Sequence, residues 1–472
     1  MRKHRLVTVV CAALVCLSGT LQPASAEETD STVSPESKGS TGFAPLGIHF
    51  SGFWSLETGQ LENYWMTSFN INHQNLLRTL VNFGVSKQIT PRLQIQANAE
   101  GKMYYNTFDK KYNFGVEAFV LPTMYYNFYI DRAFMAYSFG DINAPFLQFT
   151  LGYFPYKYNP DARDLGEYLY RSGTYPAYLI NDFDFTQARL AGLKVSSDLF
   201  GMLHQDLLIT TGTDRPPFFD LNLGYIVSLN FGNILDIGLG GMYQSLVSTN
   251  DDITSPKLAE NTYLKNPVFD QTTNTYSGDT AYYTFAGLKL MGRLSFDPKR
   301  IFLPTEEDLG IFGKEDLKIF GEAAVLGVQN YPVDVINPNN PNPYGYDTLI
   351  QKIPIMFGLN IPTFKLLDVL SAQAEWYDCQ YPNNYQFKGM AQITPTPCPQ
   401  TGGVAPDNYS KRDNWKWCFY AKKSFKNGLF IVGQVANDHI RNETPIAASV
   451  DFEDALRTDK SWWWALKLGF RF

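Results

Sequence analysis

The residue types that most often carry catalysis are sparse in this chain. Histidine occurs five times, at His4, His49, His73, His204 and His439. None of them accompanies a Gly-x-Ser-x-Gly elbow, and the sequence contains no such motif. No two His or Cys residues stand three or four apart, the spacing a metal would need from one helical face. The expectation is therefore a chain that is not an enzyme, with no cofactor and no metal. Its polar chemistry is gathered instead in one stretch, from about Pro155 to Phe185. There Asp161, Arg163, Asp164, Glu167 and Arg171 are interleaved with Tyr156, Tyr158, Tyr168, Tyr170, Tyr175 and Tyr178. Opposed charges at close spacing set a transverse field, and tyrosines offer stacking surface and hydroxyls. Such a mix suits small polar solutes or sugars. The same stretch can also be read as a surface loop that packs over its neighbours.

A second group of polar residues is defined by period. In Arg92–Lys102, Arg92, Gln94, Gln96, Asn98, Glu100 and Lys102 alternate with Leu93, Ile95, Ala97 and Ala99. A strand sends alternate side chains to opposite faces, so one face here is wet and the other oily. Leu221–Phe231 alternates in the same way, and so does Trp462–Phe472, where Lys467 and Arg471 oppose the apolar set. Across all such segments the wet face collects Arg92, Lys102, Lys289, Arg293, Lys318, Lys352, Lys416, Lys422, Lys467 and Arg471. It collects fewer acids: Glu100, Asp236, Glu322 and Glu375. If these strands enclose a passage, the excess of cations raises the local concentration of anions. Alternatively the cations pair with acids and hold the wall together.

The elements that would position these residues follow from the same alternation. The pattern predicts strands near 47–55, 77–87, 91–103, 127–139, 146–155, 187–197, 204–212, 219–231, 235–246, 282–296, 317–328, 351–362, 369–379, 414–423, 428–438 and 461–472. That is about sixteen, an even number. Short gaps follow the even-numbered strands and long gaps follow most odd-numbered ones, as in a closed barrel with both ends of the chain on one side. Two gaps break this rule: 213–218 is short and 297–316 is long. A soluble sandwich would hide one face of each strand in a core. Here nearly every strand keeps a polar face, and mean hydropathy is only −0.21. The fold expected is all-β, a transmembrane antiparallel barrel over 45–472.

The ends of the chain fit export. Arg2, Lys3 and Arg5 precede an apolar run from Leu6 to about Leu17, and Ala24-Ser25-Ala26 gives a cleavage pattern after Ala26. Residues 1–26 thus read as a signal peptide and 27–44 as a flexible periplasmic leader. The formal net charge of −7 becomes more negative once the three leader cations are removed, which disfavours nucleic acid as a partner. Of five cysteines, Cys379, Cys398 and Cys418 lie beyond the leader, too few for a disulfide framework. Whether Cys379 and Cys398, which flank one loop, pair with each other stays open.

The final strand ends in Leu466, Leu468, Phe470 and Phe472, which resembles the assembly signal of Gram-negative outer-membrane proteins. With the leader and the strand count, the chain resembles the porin superfamily. The resemblance is architectural and covers about 45–472, and it points to no one porin family. It implies a multi-pass barrel in the bacterial outer membrane, a channel for passive diffusion of small polar or anionic solutes. It implies that the third long loop, here Pro155–Phe185, folds into the lumen as a constriction. The partners implied are outer-membrane lipid and lipopolysaccharide, the barrel-assembly machinery, small solutes and other copies in a homotrimer. The competing reading is a non-conducting barrel that serves adhesion, recognition or envelope structure.

Overall fold

A computed structural model describes residues 47–62, 75–106, 123–141, 144–170, 188–211, 219–247, 262–282, 287–328, 350, 353–377, 415–437 and 462–472. The signal peptide, the leader, Lys352, Arg171, Cys379 and Cys398 lie outside the described residues. The strands in chain order are β1 (Ile48–Glu62), β2 (Asn75–Thr90), β3 (Leu93–Asn106), β4 (Thr123–Gly140), β5 (Pro145–Tyr156), β6 (Ala188–Leu199), β7 (Leu203–Thr211), β8 (Leu221–Phe231) and β9 (Leu235–Val247). They continue with β10 (Thr262–Asp270), β11 (Thr275–Tyr282), β12 (Gly287–Phe296), β13 (Ile319–Val325), β14 (Ile355–Asn360), β15 (Val369–Trp376), β16 (Trp415–Ser424), β17 (Leu429–Ala436) and β18 (Trp462–Arg471). Sixteen of these form one closed antiparallel barrel in chain order, and β10 and β11 form a separate hairpin. Closure leaves the sheet no free edge, so every wall strand has a hydrogen-bonded neighbour on each side. No helix among the described residues is long and apolar enough to cross a membrane.

The ladder explains the alternation. In β8, Leu223, Tyr225, Leu229 and Phe231 are exposed while the alternating Asn222, Gly224 and Ile226 are buried. In β14, Ile355, Phe357 and Leu359 are exposed, and Met356 and Asn360 are buried. On a closed wall the exposed apolar set is the outer surface and the buried set faces inward. The seam joins the two ends of the chain. Trp54 pairs with Phe470, Leu56 with Leu468 and Glu57 with Lys467, and Phe472 exchanges two backbone bonds of 3.0 Å with Gly52.

The expected barrel of about sixteen strands is borne out, with differences of detail. The hairpin β10–β11 falls almost wholly in 247–281, the gap that the alternation leaves between two strands, and ends at Tyr282. Its period is broken by a register shift between Lys265 and Val268, beside Pro267. β1 runs to Glu62, beyond the expected end at 55. β4 contains a bulge: Asn98 pairs with Arg132 and Ala99 with Ile130, so Asp131 is the extra residue. The outward set therefore changes parity, from Phe128 and Ile130 to Met135 and Tyr137. The long connection after β12 is real and compact, with two short 3-10 turns at Pro298–Ile301 and Glu307–Leu309.

Candidate functional site

The inner face carries charge, and two groups of these charges are matched. On β1, β2 and β18, Arg78 donates from Nε to Glu57 at 2.7 Å and Lys467 Nζ stands 2.9 Å from the same carboxylate. On β2, β3, β4 and β6 a second group forms. Asn82 donates to Glu100 at 3.1 Å and to Asp131 at 3.3 Å. Arg189 reaches Asp131 at 2.9 Å and Glu100 at 3.6 Å, and Lys102 reaches Glu100 at 3.3 Å. Tyr129 donates to Glu100, and Lys102 and Arg189 both lie over its ring. The bulge at Asp131 is what turns that carboxylate inward beside Arg189. A buried charge must be matched in this way, because an unmatched one costs several kcal/mol.

Segment 157–170, which follows β5, is fastened to the inner face of the opposite wall. Glu322 of β13 is its main anchor. It accepts from the hydroxyl of Tyr158 at 2.6 Å, the side-chain amide of Asn159 at 2.8 Å, and the backbone amides of Glu167 and Tyr168 at 3.0 Å. The two amides converge because Gly166 (φ 96°) and Glu167 (φ 62°) are both left-handed. A Cβ on Gly166 would stand 2.8 Å from Met356 and 3.1 Å from Glu322, so only glycine fits. Gln373 of β15 accepts from the amides of Asp164 and Leu165 at 3.2 and 3.1 Å. Tyr168 donates to Glu375 at 2.5 Å, and Lys289 of β12 donates to the Leu169 carbonyl at 3.4 Å. The apolar underside of the segment (Ala162, Leu165, Leu169) is fully buried. Glycines on β8 and β9 make room for it: a Cβ on Gly224 would strike the Tyr170 hydroxyl, and one on Gly240 would touch Leu169 at 3.0 Å.

These surroundings shift the titration of the segment. Burial, with the Glu322 charge next to it, pushes the Glu167 carboxyl up to about 8. Burial and the neighbouring carboxylates likewise push the Tyr158 and Tyr170 hydroxyls well above the usual phenol range. Asp161 moves the other way. Burial opposes its ionisation, but Lys318 holds it below the ordinary carboxylate value.

The residues singled out from sequence fall into three groups. Lys102, Lys289, Arg293, Lys416 and Lys467 are buried on wall strands, Arg293 beside Asp236 at 3.2 Å. Lys318 stands before β13, between Asp161 and Glu315. Lys422 is half-buried on β16. Arg92 is exposed in the β2–β3 turn and donates to the Gly140 carbonyl at 3.3 Å, and Arg471 is exposed over the Phe430 ring. Neither of these two sits with the inner set. Of the loop residues, Asp161, Asp164, Glu167 and Tyr168 are buried, and Arg163 and Tyr170 partly so. Phe470 and Phe472 are exposed on the outside near the seam.

The inner face also carries acids beside its cations. Glu57, Asp131 and Asp206 are the acids that alternation missed. Glu57 lies beyond the expected end of β1, and Asp131 sits on the parity-changing bulge. Asp206 of β7 accepts from Tyr156 at 2.9 Å and Ser196 at 2.6 Å. Inward glycines on β8 and β9 were the one sequence signal that something packs against that wall.

No family model matches the sequence, and no curated protein matches it either. Among solved structures, it is similar to variants of the porin of Rhodopseudomonas blastica. Two of them, each carrying three substitutions, show 8% identity and a TM-score of 0.40, covering 90% of this chain and 100% of theirs. A third shows 9% identity at the same score and coverage. The barrel assignment rests on the closed strand ladder, whose sixteen members and chain-order pairing are given above.

Proposed function

We propose that the protein is a porin-like channel of a bacterial outer membrane. It passes small polar solutes by diffusion, and segment 157–170 narrows its lumen. The observation that carries this reading is the inner face itself. A closed wall of sixteen strands with an apolar exterior and a charged, tyrosine-lined interior is a water-filled passage in a bilayer. A barrel serving only adhesion or envelope structure would not need a fourteen-residue segment bonded to its inner wall by Glu322, Gln373 and Glu375. Because Arg78, Lys102, Arg189 and Lys467 face acids at 2.7–3.6 Å, much of the fixed field is short-ranged. That supports neutral polar solutes as the main cargo, with weaker selectivity between ions than the cations alone would give.

Reconstitution into planar bilayers tests the proposal. The full chain should give discrete conductance steps, and deletion of 160–174 should raise the step size. In a KCl gradient the reversal potential should stay near zero. A folded barrel that never conducts would favour the non-conducting alternative. Steps unchanged by the deletion would remove the narrowing role.

A further inference from the structure

The connection between β12 and β13 lies at the short-turn end of the barrel, yet it is long and internally fastened. Lys299 donates to Asp297 at 2.6 Å and to the Asp316 carbonyl at 2.8 Å. Asp316, 1% exposed, accepts from the Gly313 amide at 2.8 Å. It also reaches into the next short turn, accepting from the amides of Thr363 at 3.2 Å and Phe364 at 3.1 Å. Phe312 packs on Phe364 with ring centroids 5.8 Å apart. A simple reversal between strands needs none of this. What the fastened connection presents is Glu315, adjacent in sequence to the anchored Asp316.

Glu315 faces segment 157–170. Its carboxylate lies 3.5 Å from Arg163 and 3.0 Å from Lys318, and Lys318 lies 3.5 Å from Asp161. Arg163 also lies over the Tyr420 ring of β16. Two acids and two bases therefore join the segment to the connection at the opposite rim from the one where it enters. Glu322 grips the segment at Asn159 and at Glu167–Tyr168. Between those grips, Asp161–Arg163 is the part that meets the rim.

We infer that Glu315 is a positioning residue for the lumen segment, and that the β12–β13 connection is a second clamp which sets the width of the passage from the short-turn mouth. This rests on the reading of 157–170 as the narrowing segment. Because the rest of the connection is held independently by Asp297, Lys299 and Asp316, changing Glu315 loosens the Asp161–Arg163 part of the segment, leaves the Glu322 and Gln373 grips in place and keeps the wall intact.

The test compares Glu315→Lys, Glu315→Gln and Glu315→Asp in the full chain. Heat-modifiable migration reports folding, and bilayers report conductance and the largest polyethylene glycol that enters. The expected result is a conductance roughly half again to twice that of the parent for Glu315→Lys, a smaller rise for Glu315→Gln, and parental behaviour for Glu315→Asp. The polymer cut-off should rise in the same order. If the lysine variant does not assemble, the glutamine variant carries the test. Folded variants with parental conductance and cut-off would overturn the clamp, while the 160–174 deletion still reports on the narrowing segment itself. A parent chain that does not conduct would instead remove the channel reading, and the clamp with it.

Discussion

At the scale of single residues, the lumen segment is held by one carboxylate more than by any other group. Glu322 accepts four bonds from it, and hydrogen bonds to a charged group are worth about 1.5–3 kcal/mol each. Glu322→Ala should therefore release the segment. Single-channel conductance should rise, with larger open-state current fluctuations, and the barrel should still migrate as a folded species. Glu167 gives a pH dependence of the opposite character to an ordinary acid. Its folded-state value of about 8 lies above the 4.5 of the free carboxyl, so it favours the seated segment at low pH. That contribution is complete below about 4.5 and is lost as pH rises through 8. Current fluctuations should increase between pH 7 and 9, and Glu167→Gln should remove that increase. A variant whose profile still tracks the parent's would assign the effect to another group.

At the scale of elements, the wall was legible and its irregularities were not. All sixteen barrel strands overlap the places where alternation puts them, because a closed single wall with an apolar outer face and a polar inner face imposes a period of two. The period fails where backbone geometry intervenes. The bulge at Asp131 inverts parity midway along β4, and the break between Lys265 and Val268 hides a hairpin. The lumen segment was legible as a concentration of charge and tyrosine. Its anchors were not, since Glu322, Gln373 and Glu375 are 150 to 210 residues distant and meet it only through closure of the barrel. Gly469, within the final strand, has a local cause. The Phe430 ring of β17 occupies the space where a Cβ on Gly469 would stand, only 2.1 Å away. Overpacking of this kind costs about 1–3 kcal/mol. Gly469→Val should lower the urea midpoint of the detergent-solubilised barrel, and adding Phe430→Ala should recover part of the loss. No recovery in the double variant would place the cost elsewhere.

At the scale of the whole molecule, the barrel must close between strands that are first and last in the chain. The β1–β18 register is long, and near its middle Glu57 stands opposite Lys467 while also accepting from Arg78 of β2. Its side chain is 0% exposed, so this carboxylate is shared by three consecutive wall strands out of reach of solvent. Removing it takes the common partner from two buried cations, a change that costs about 3–5 kcal/mol for a broken buried pair. The loss falls on a contact that exists only after closure, so it acts on the final step of assembly and not on the hairpins that precede it. Glu57→Ala should therefore slow folding into lipid vesicles and lower the urea midpoint. Glu57→Gln, which keeps the shape and one acceptor oxygen, should do so less. Because the segment anchors lie on β13 and β15, across the lumen, channels that do close should show the parental conductance. A change in conductance from this substitution would mean that the seam and the lumen segment are mechanically coupled, and that the wall is not the rigid frame its continuous ladder implies.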